Sequence, residues 1–188
     1  MPGPPPPTDL GHADDRTLAG RAADGDTSAF EHLVRRYSPM MRAYATRLLP
    51  SNNEVDDVVQ EAFITAWEKL ATLEDCGAVR SWMMKIVSHK SMDRIRAHKK
   101  ETQLDDDELP APESASPSGI TQENSQLEAL SMALSELPAP QRRCWVMKEL
   151  GQFSYEEMAD ELELPVSTVR GLLARARMNL IPRMEAWK

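Results

Sequence analysis

The stretch FSYEEMADELELPVSTVRGLLARARMNL, residues 153–180, decides how this chain folds. Ser154 stands three residues before Glu157, the spacing of a capping box, in which two side chains satisfy backbone N–H groups left orphaned at a helix start. A short helix from Tyr155 follows, with Met158, Ala159 and Leu162 on its inner face. Leu164-Pro165-Val166 makes a turn, and Ser167 or Thr168 opens a last helix that is expected to reach Trp187. Small Ala159 stands where two crossing helices must approach closely, and Val169 is placed to pack back on the first helix. This is the helix-turn-helix layout, whose second helix lays its N-terminal half in the DNA major groove. Arg170 is near that end, where a guanidinium can bond guanine in bidentate fashion. Arg175 and Arg177 follow at a spacing that suits phosphate contacts. Taken alone, the pattern also fits a helical hairpin in a bundle that never meets DNA.

Upstream, Leu127, Leu130, Met132, Ala133 and Leu134 give a helix that starts near Ser125 and ends at Leu137-Pro138. Pro140 suits the first turn of the next helix, which stops near Glu149 before Gly151. Before this domain lies ETQLDDDELPAPESASPSGITQEN, residues 101–124, acidic, rich in Pro and Ser and without apolar periodicity, which reads as a flexible linker.

The N-terminal half repeats the helical pattern. Residues 1–13 are rich in Pro and are expected to be disordered. Asp14 or Asp15 can cap a short helix from Arg16 to Ala23. From Ser28 to Leu49, Phe30, Leu33, Val34, Tyr37, Met41, Tyr44, Ala45 and Leu48 form one apolar stripe, which Pro39 is expected to kink or break. A third helix begins with the acids Glu54, Asp56 and Asp57, where the helix dipole favours them, and carries Val55, Val58, Val59, Ala62, Phe63, Ala66, Trp67 and Leu70. A loop around Leu73 to Gly77 leads to a fourth helix, Ala78 to Ala97, with Val79, Trp82, Met83, Ile86, Val87 and Ile95 apolar. No alternating strand pattern occurs, so the fold class is all-α: two small helical domains, residues 14–100 and 125–188, joined by an acidic linker.

The net charge of -8 looks wrong for a DNA binder until its distribution is read. Lys90, Arg94, Arg96, Lys99 and Lys100 crowd one segment against the single acid Asp93, and Arg170, Arg175, Arg177, Arg183 and Lys188 crowd another against Glu185. The acids concentrate between them, so two local basic faces survive. Both also fit ordinary solvated helix faces on charge alone. Cys76 and Cys144 form no CxxC pair, and His12, His32, His89 and His98 have no zinc spacing, so no metal and no cofactor is expected. The opening MPGPPPPTDLGHADD has no apolar run, and a cytoplasmic location is expected. There is no Gly-rich phosphate loop and no nucleophile–base signature, which argues against an enzyme.

Residues 153–180, together with LSELPAPQRRCWVMKELGQ before them, resemble the C-terminal domain of the extracytoplasmic-function sigma factors of bacterial RNA polymerase. DDVVQEAFITAWEKL resembles that family's polymerase-binding helix, and RSWMMKIVSHKSMDRIRAHKK its helix for the promoter -10 element. Three motifs in the family's order cover residues 16–100 and 125–183. The resemblance implies that Asp56, Asp57, Gln60, Glu61, Phe63 and Trp67 bind core polymerase at the clamp helices of its largest subunit, although Phe63 is also expected in the core. It implies that Trp82, Lys85, His89, Lys90, Asp93, Arg94 and Arg96 serve the -10 element, with the loop Leu73–Val79 receiving an extruded base. Ser167, Thr168, Arg170, Gly171, Ala174, Arg175 and Arg177 would read the -35 element. The polymerase flap, promoter DNA and an anti-sigma factor are the further partners implied. Four positions depart from the family's pattern: His89 where Asn is frequent, Glu163 where the turn often has Gly, and Gly171-Leu172 where Ser and Arg are frequent. A repressor acting without polymerase would account for the C-terminal domain but leaves the two N-terminal motifs unexplained, and the two basic helices speak against a pure protein adaptor.

Overall fold

A computed structural model describes residues 10–102 and 122–185, so most of the expected N-terminal tail, most of the linker and the last three residues lie outside the described part. Eight α-helices are described: α1 (Asp15–Ala23), α2 (Thr27–Leu48), α3 (Val55–Lys69), α4 (Val79–Thr102), α5 (Gln122–Ser135), α6 (Ala139–Glu149), α7 (Tyr155–Leu162) and α8 (Val166–Glu185). No strand occurs among the described residues.

Side-chain caps start α1 and α2. Asp14 accepts from the Thr17 N–H at 2.7 Å, and Asp26 from the Ala29 N–H at 3.1 Å. Caps of this kind stabilise a helix by about 1 kcal/mol each. The Thr17 side chain and N–H hold the Asp14 carboxyl below its usual pKa, and the Ala29 N–H with Arg21 does the same for Asp26. Pro39 does not break α2. The helix runs through it because losing one backbone bond costs less than releasing the fully or almost fully buried Leu33, Tyr37, Met41, Tyr44 and Leu48. Three further expectations are corrected. Leu10–His12, within the segment expected to be disordered, forms a 3-10 turn that buries Leu10. The basic helix continues past Ala97 and Glu101 to Thr102, and α5 starts at Gln122 rather than near Ser125.

In the N-terminal domain α1 and α2 pack together, α3 packs on α2, and α4 lies against both α2 and α3. The core holds Leu18, Leu33, Met41, Tyr44, Val58, Ala62, Met83, Met84 and Val87, all almost solvent-free. Two serines are sealed in with them. Tyr44 donates its hydroxyl to Ser88 Oγ at 2.9 Å, and Ser91 bonds the Val87 carbonyl at 2.7 Å, so neither leaves an unmet polar group. The connection around 73–77, expected as plain loop, is bracketed by 3-10 turns at Leu70–Thr72 and Cys76–Ala78, the second capped by Asp75.

In the C-terminal domain α8 packs across α5, α6 and α7. Val169, Leu173, Ala176 and Leu180, spaced three or four apart, form its buried stripe. Met132, expected in the apolar pattern of α5, instead stands 60% exposed. The two domains do not stand apart. α2 packs on α5 and α6, and one apolar cluster runs from the first domain's core through Cys144, Met147, Phe153 and Met158.

Candidate nucleic-acid interface

Three surfaces carry the residues singled out from the sequence. The first is an open groove of about 600 Å³ between α2 and α3. Phe30 and Phe63 meet edge to face with centroids 6.5 Å apart, and Phe30 lies 4.9 Å from the Trp67 ring. Val34, Val59 and Ile64 complete the apolar floor, while Arg42, Asp56, Gln60 and Glu68 add polar groups to the lining. Phe63 is only partly buried, so it lines this groove instead of sitting inside the core. Trp67 stays 38% exposed and Ile64 52%. Asp56 is ion-paired with Arg42, Glu61 with Arg94 at 3.1 Å, and Asp57 is exposed. Phe30, Arg42 and Ile64 escape a reading of α3's acids and aromatics. Ile64 did leave a signal, since it is an apolar residue on the same face as Gln60 and Glu61, four and three positions before it.

The second surface is α4. Arg94 reaches Glu54 at 3.3 Å and Glu61, and His98 reaches Glu54 at 2.8 Å, which clasps the C-terminal half of α4 to the start of α3. Trp82 is half-buried, whereas Lys85, His89, Asp93 and Arg96 fall three or four apart on one outward stripe, with Lys90 beside it. That stripe faces α7. Lys85 is ion-paired with Glu157, and His89 through Nδ1 with Glu161. Arg96 donates to the Glu161 carbonyl at 2.7 Å and lies 3.9 Å from the Glu163 carboxylate. The Glu161 hydrogen bond raises the pKa of His89 against the opposing effect of burial. Lys85 and the Ser154 N–H together lower that of Glu157.

The third surface is α8 in its helix-turn-helix setting. Ser154 accepts from the Glu157 N–H at 3.1 Å while Glu157 accepts from the Ser154 N–H at 2.8 Å, so the capping box is complete. Buried Ala159 and Val169 fix the crossing of α7 and α8. Between them Glu163 adopts φ 55°, ψ 43°, the left-handed conformation that favours glycine. Opposite the buried stripe, Ser167, Arg170, Ala174 and Arg175 are exposed and Thr168 and Gly171 half-exposed. The Arg170 guanidinium lies 5.2 Å from the centroid of the Tyr155 ring. Arg177 points elsewhere, to Glu149 at 2.8 Å, and that carboxylate holds its pKa up.

A helical chain with an acidic, aromatic groove in one domain and an Arg-bearing recognition helix in the other defines a DNA-binding transcription factor with a protein partner. Comparison with known proteins narrows the class. Residues 33–101 match the family described as Sigma-70 region 2, and residues 127–180 match Sigma-70, region 4. The ECF RNA polymerase sigma-E factor of Escherichia coli (strain K12) is 31% identical over 87% of this chain and 90% of its own length. That of Haemophilus influenzae is 29% identical over 87% and 91%. Among solved structures, CnrH in complex with the cytosolic domain of CnrY superposes with a TM-score of 0.56 at 28% identity, covering 92% of this chain and 97% of that one. The sigma factor RpoE in complex with the anti-sigma factor NepR from Bartonella quintana shares the fold, with a TM-score of 0.60 at 23% identity over 83% of this chain and 96% of that one. The chain belongs to the extracytoplasmic-function sigma factors, which direct RNA polymerase to promoters and act by binding rather than by catalysis. No described helix is long and apolar enough to cross a membrane.

Proposed function

We propose that the three surfaces divide the work of initiation. The α2–α3 groove, with Asp56, Asp57, Gln60, Glu61, Phe63 and Trp67, takes the clamp helices of the polymerase largest subunit. Its acids suit a basic helical partner and its half-exposed aromatics supply anchors. The α4 stripe of Trp82, Lys85, His89, Lys90, Asp93, Arg94 and Arg96 engages the -10 element, with the Leu73–Val79 connection taking an extruded base. Binding the single strand better than the duplex is enough to open it, since differential affinity shifts the equilibrium. Ser167, Thr168, Arg170, Gly171, Ala174, Arg175 and Arg177 on α8 read the -35 duplex. Residues 14–100 and 125–188 act as the two functional domains, with residues 101–124 threading the polymerase between them and the C-terminal domain meeting the flap. The action is cytoplasmic. An anti-sigma factor is the natural regulator, as both structural relatives were solved with partners of that kind or with a CnrY domain.

The observation that carries this reading is the α2–α3 groove, for which a free-standing repressor has no use: it leaves Trp67 and Ile64 open beside Asp56 and Gln60. The test is run-off transcription from a promoter library with bacterial core polymerase, with and without the chain. Initiation that depends on the chain and shares paired -35 and -10 sequences is expected. The double variant Asp57→Ala, Gln60→Ala should lose core affinity by titration at unchanged helicity, and unchanged affinity would remove the groove from the assignment.

A further inference from the structure

The connection Leu73–Val79, assigned above to the extruded base, is held from outside by a residue of α1. Arg16 ion-pairs with Asp75 at 2.8 Å, and the carboxylate oxygen that takes this contact also accepts the Gly77 N–H at 2.9 Å. The guanidinium lies so close to Gly77 that a methyl group there would stand 2.6 Å from Nη2 and 3.2 Å from Cζ. Resting on that assignment, we propose that Arg16 is a positioning residue for the extruded nucleotide. It fixes the course of the connection and offsets its negative charge, so that base choice at one -10 position depends on it.

Three observations carry this. Gly77 is not needed for its backbone: its φ is not in the left-handed region, unlike that of Gly25. What glycine supplies at 77 is room, and the guanidinium occupies it. Nor is stability what the pair supplies. The Arg16 and Asp75 side chains stay 67% and 61% exposed, and an ion pair so open to water adds little to a fold. The fully buried Leu18 and Ala19 already anchor α1. The charge, by contrast, is needed. Residues 70–79 carry Glu74 and Asp75 and no base, so an arriving nucleotide brings its phosphate towards two carboxylates. Among the described residues it is Arg16 that ion-pairs with this connection, whereas Arg80, just beyond it, reaches the Met40 sulfur at 3.7 Å. Arg16 also lies ahead of residues 33–101, the part that matches Sigma-70 region 2.

The test is run-off transcription with bacterial core polymerase and the full chain, from promoters randomised in both elements, with base preference scored position by position. Gly77→Ala displaces the guanidinium cheaply, because the nearest crowded atom is the end of a flexible side chain. Arg16→Ala and Gly77→Ala should each flatten the preference at the same single -10 position by about tenfold, within the range that one ordered base contact supplies. Arg16→Lys, which keeps the charge without the planar fork, should restore part of it. Preference at the other -10 positions and in the -35 element, and core affinity, should not change. Full preference in Arg16→Ala would overturn the proposal, as would an equal loss at every position, the mark of a general loss of structure. The double variant Glu74→Ala, Cys76→Ala alters the connection itself. If it flattens a position that Arg16→Ala leaves intact, the positioning role fails while the assignment of the connection stands. If neither variant changes any -10 preference, that assignment fails as well.

Discussion

Substituting Gly151 tests how tightly the helix-turn-helix is held by the residues before it. Gly151 follows α6, and the left-handed Gln152 (φ 57°) then turns the chain so that Phe153, 2% exposed, drops into the core ahead of the capping box. A methyl group at position 151 would lie 2.7 Å from two carbons of the Phe153 ring and 2.8 Å from the Met147 carbonyl. The ring is enclosed and the carbonyl belongs to a helix, so neither can yield cheaply. Overpacking of this kind costs about 1–3 kcal/mol, which at this chain length lowers Tm by roughly 2–12 °C. Gly171 in the same domain supplies the contrast. Its added methyl would meet only Arg175 Nη2 at 4.0 Å, so Gly171→Ala should gain up to about 1 kcal/mol of helix propensity. Urea and thermal unfolding followed by far-ultraviolet circular dichroism measure both. Equal effects of the two substitutions, or a Gly151→Ala change below about 0.5 kcal/mol, would refute the packing argument.

Other expectations follow from the same geometry. Arg170→Ala should weaken binding of holoenzyme to a promoter with an intact -35 element by about 1–3 kcal/mol and leave a scrambled one unaffected; equal losses on both would deny it a base contact. The contact of α4 with α7 should depend on pH through His89, which faces Glu161 on α7 and Asp93 and Arg96 on α4, with Tyr44 of α2 close to Glu161. Its pKa is raised in the folded chain, so its contribution to stability is full below the ordinary value of 6.5 and fades as pH rises through the raised one. Stability to urea should therefore fall slightly across that interval in the native chain relative to His89→Asn. The Cys144 thiol, fully buried and pushed up to about 11, should resist alkylation at neutral pH until the chain is unfolded, as mass spectrometry would show.

What the sequence made legible was whatever repeats or caps locally. The Ser154–Glu157 box, Asp14 as a cap, the apolar stripe of α2 and the turn at Leu164-Pro165 all rest on residues a few positions apart. Pro39 misled because local chemistry argues for a break, while the buried side chains on either side of it outweigh one missing N–H. Ser88 could not be placed, since its burial depends on the Tyr44 hydroxyl, forty-four positions away, that meets it. Phe63 read more readily as core than as contact and Phe30 only as part of the apolar stripe of α2, and it is the α2–α3 groove that brings both to one surface. The engagement of Lys85, His89 and Arg96 by α7 had no sequence signal, because complementary charges some seventy positions apart obey no period. In the site, residue types were readable, whereas what each faces before DNA arrives was not.

The placement of Arg170 over Tyr155 has a kinetic side. A long side chain that must be immobilised on contact costs about 0.5–1.5 kcal/mol of lost rotamer freedom. Here the guanidinium already rests over an aromatic face, 5.2 Å from its centroid. On the proposed assignment of Arg170 to the -35 element, part of that ordering is complete before any encounter, so the search for a promoter proceeds with a reading head already aimed.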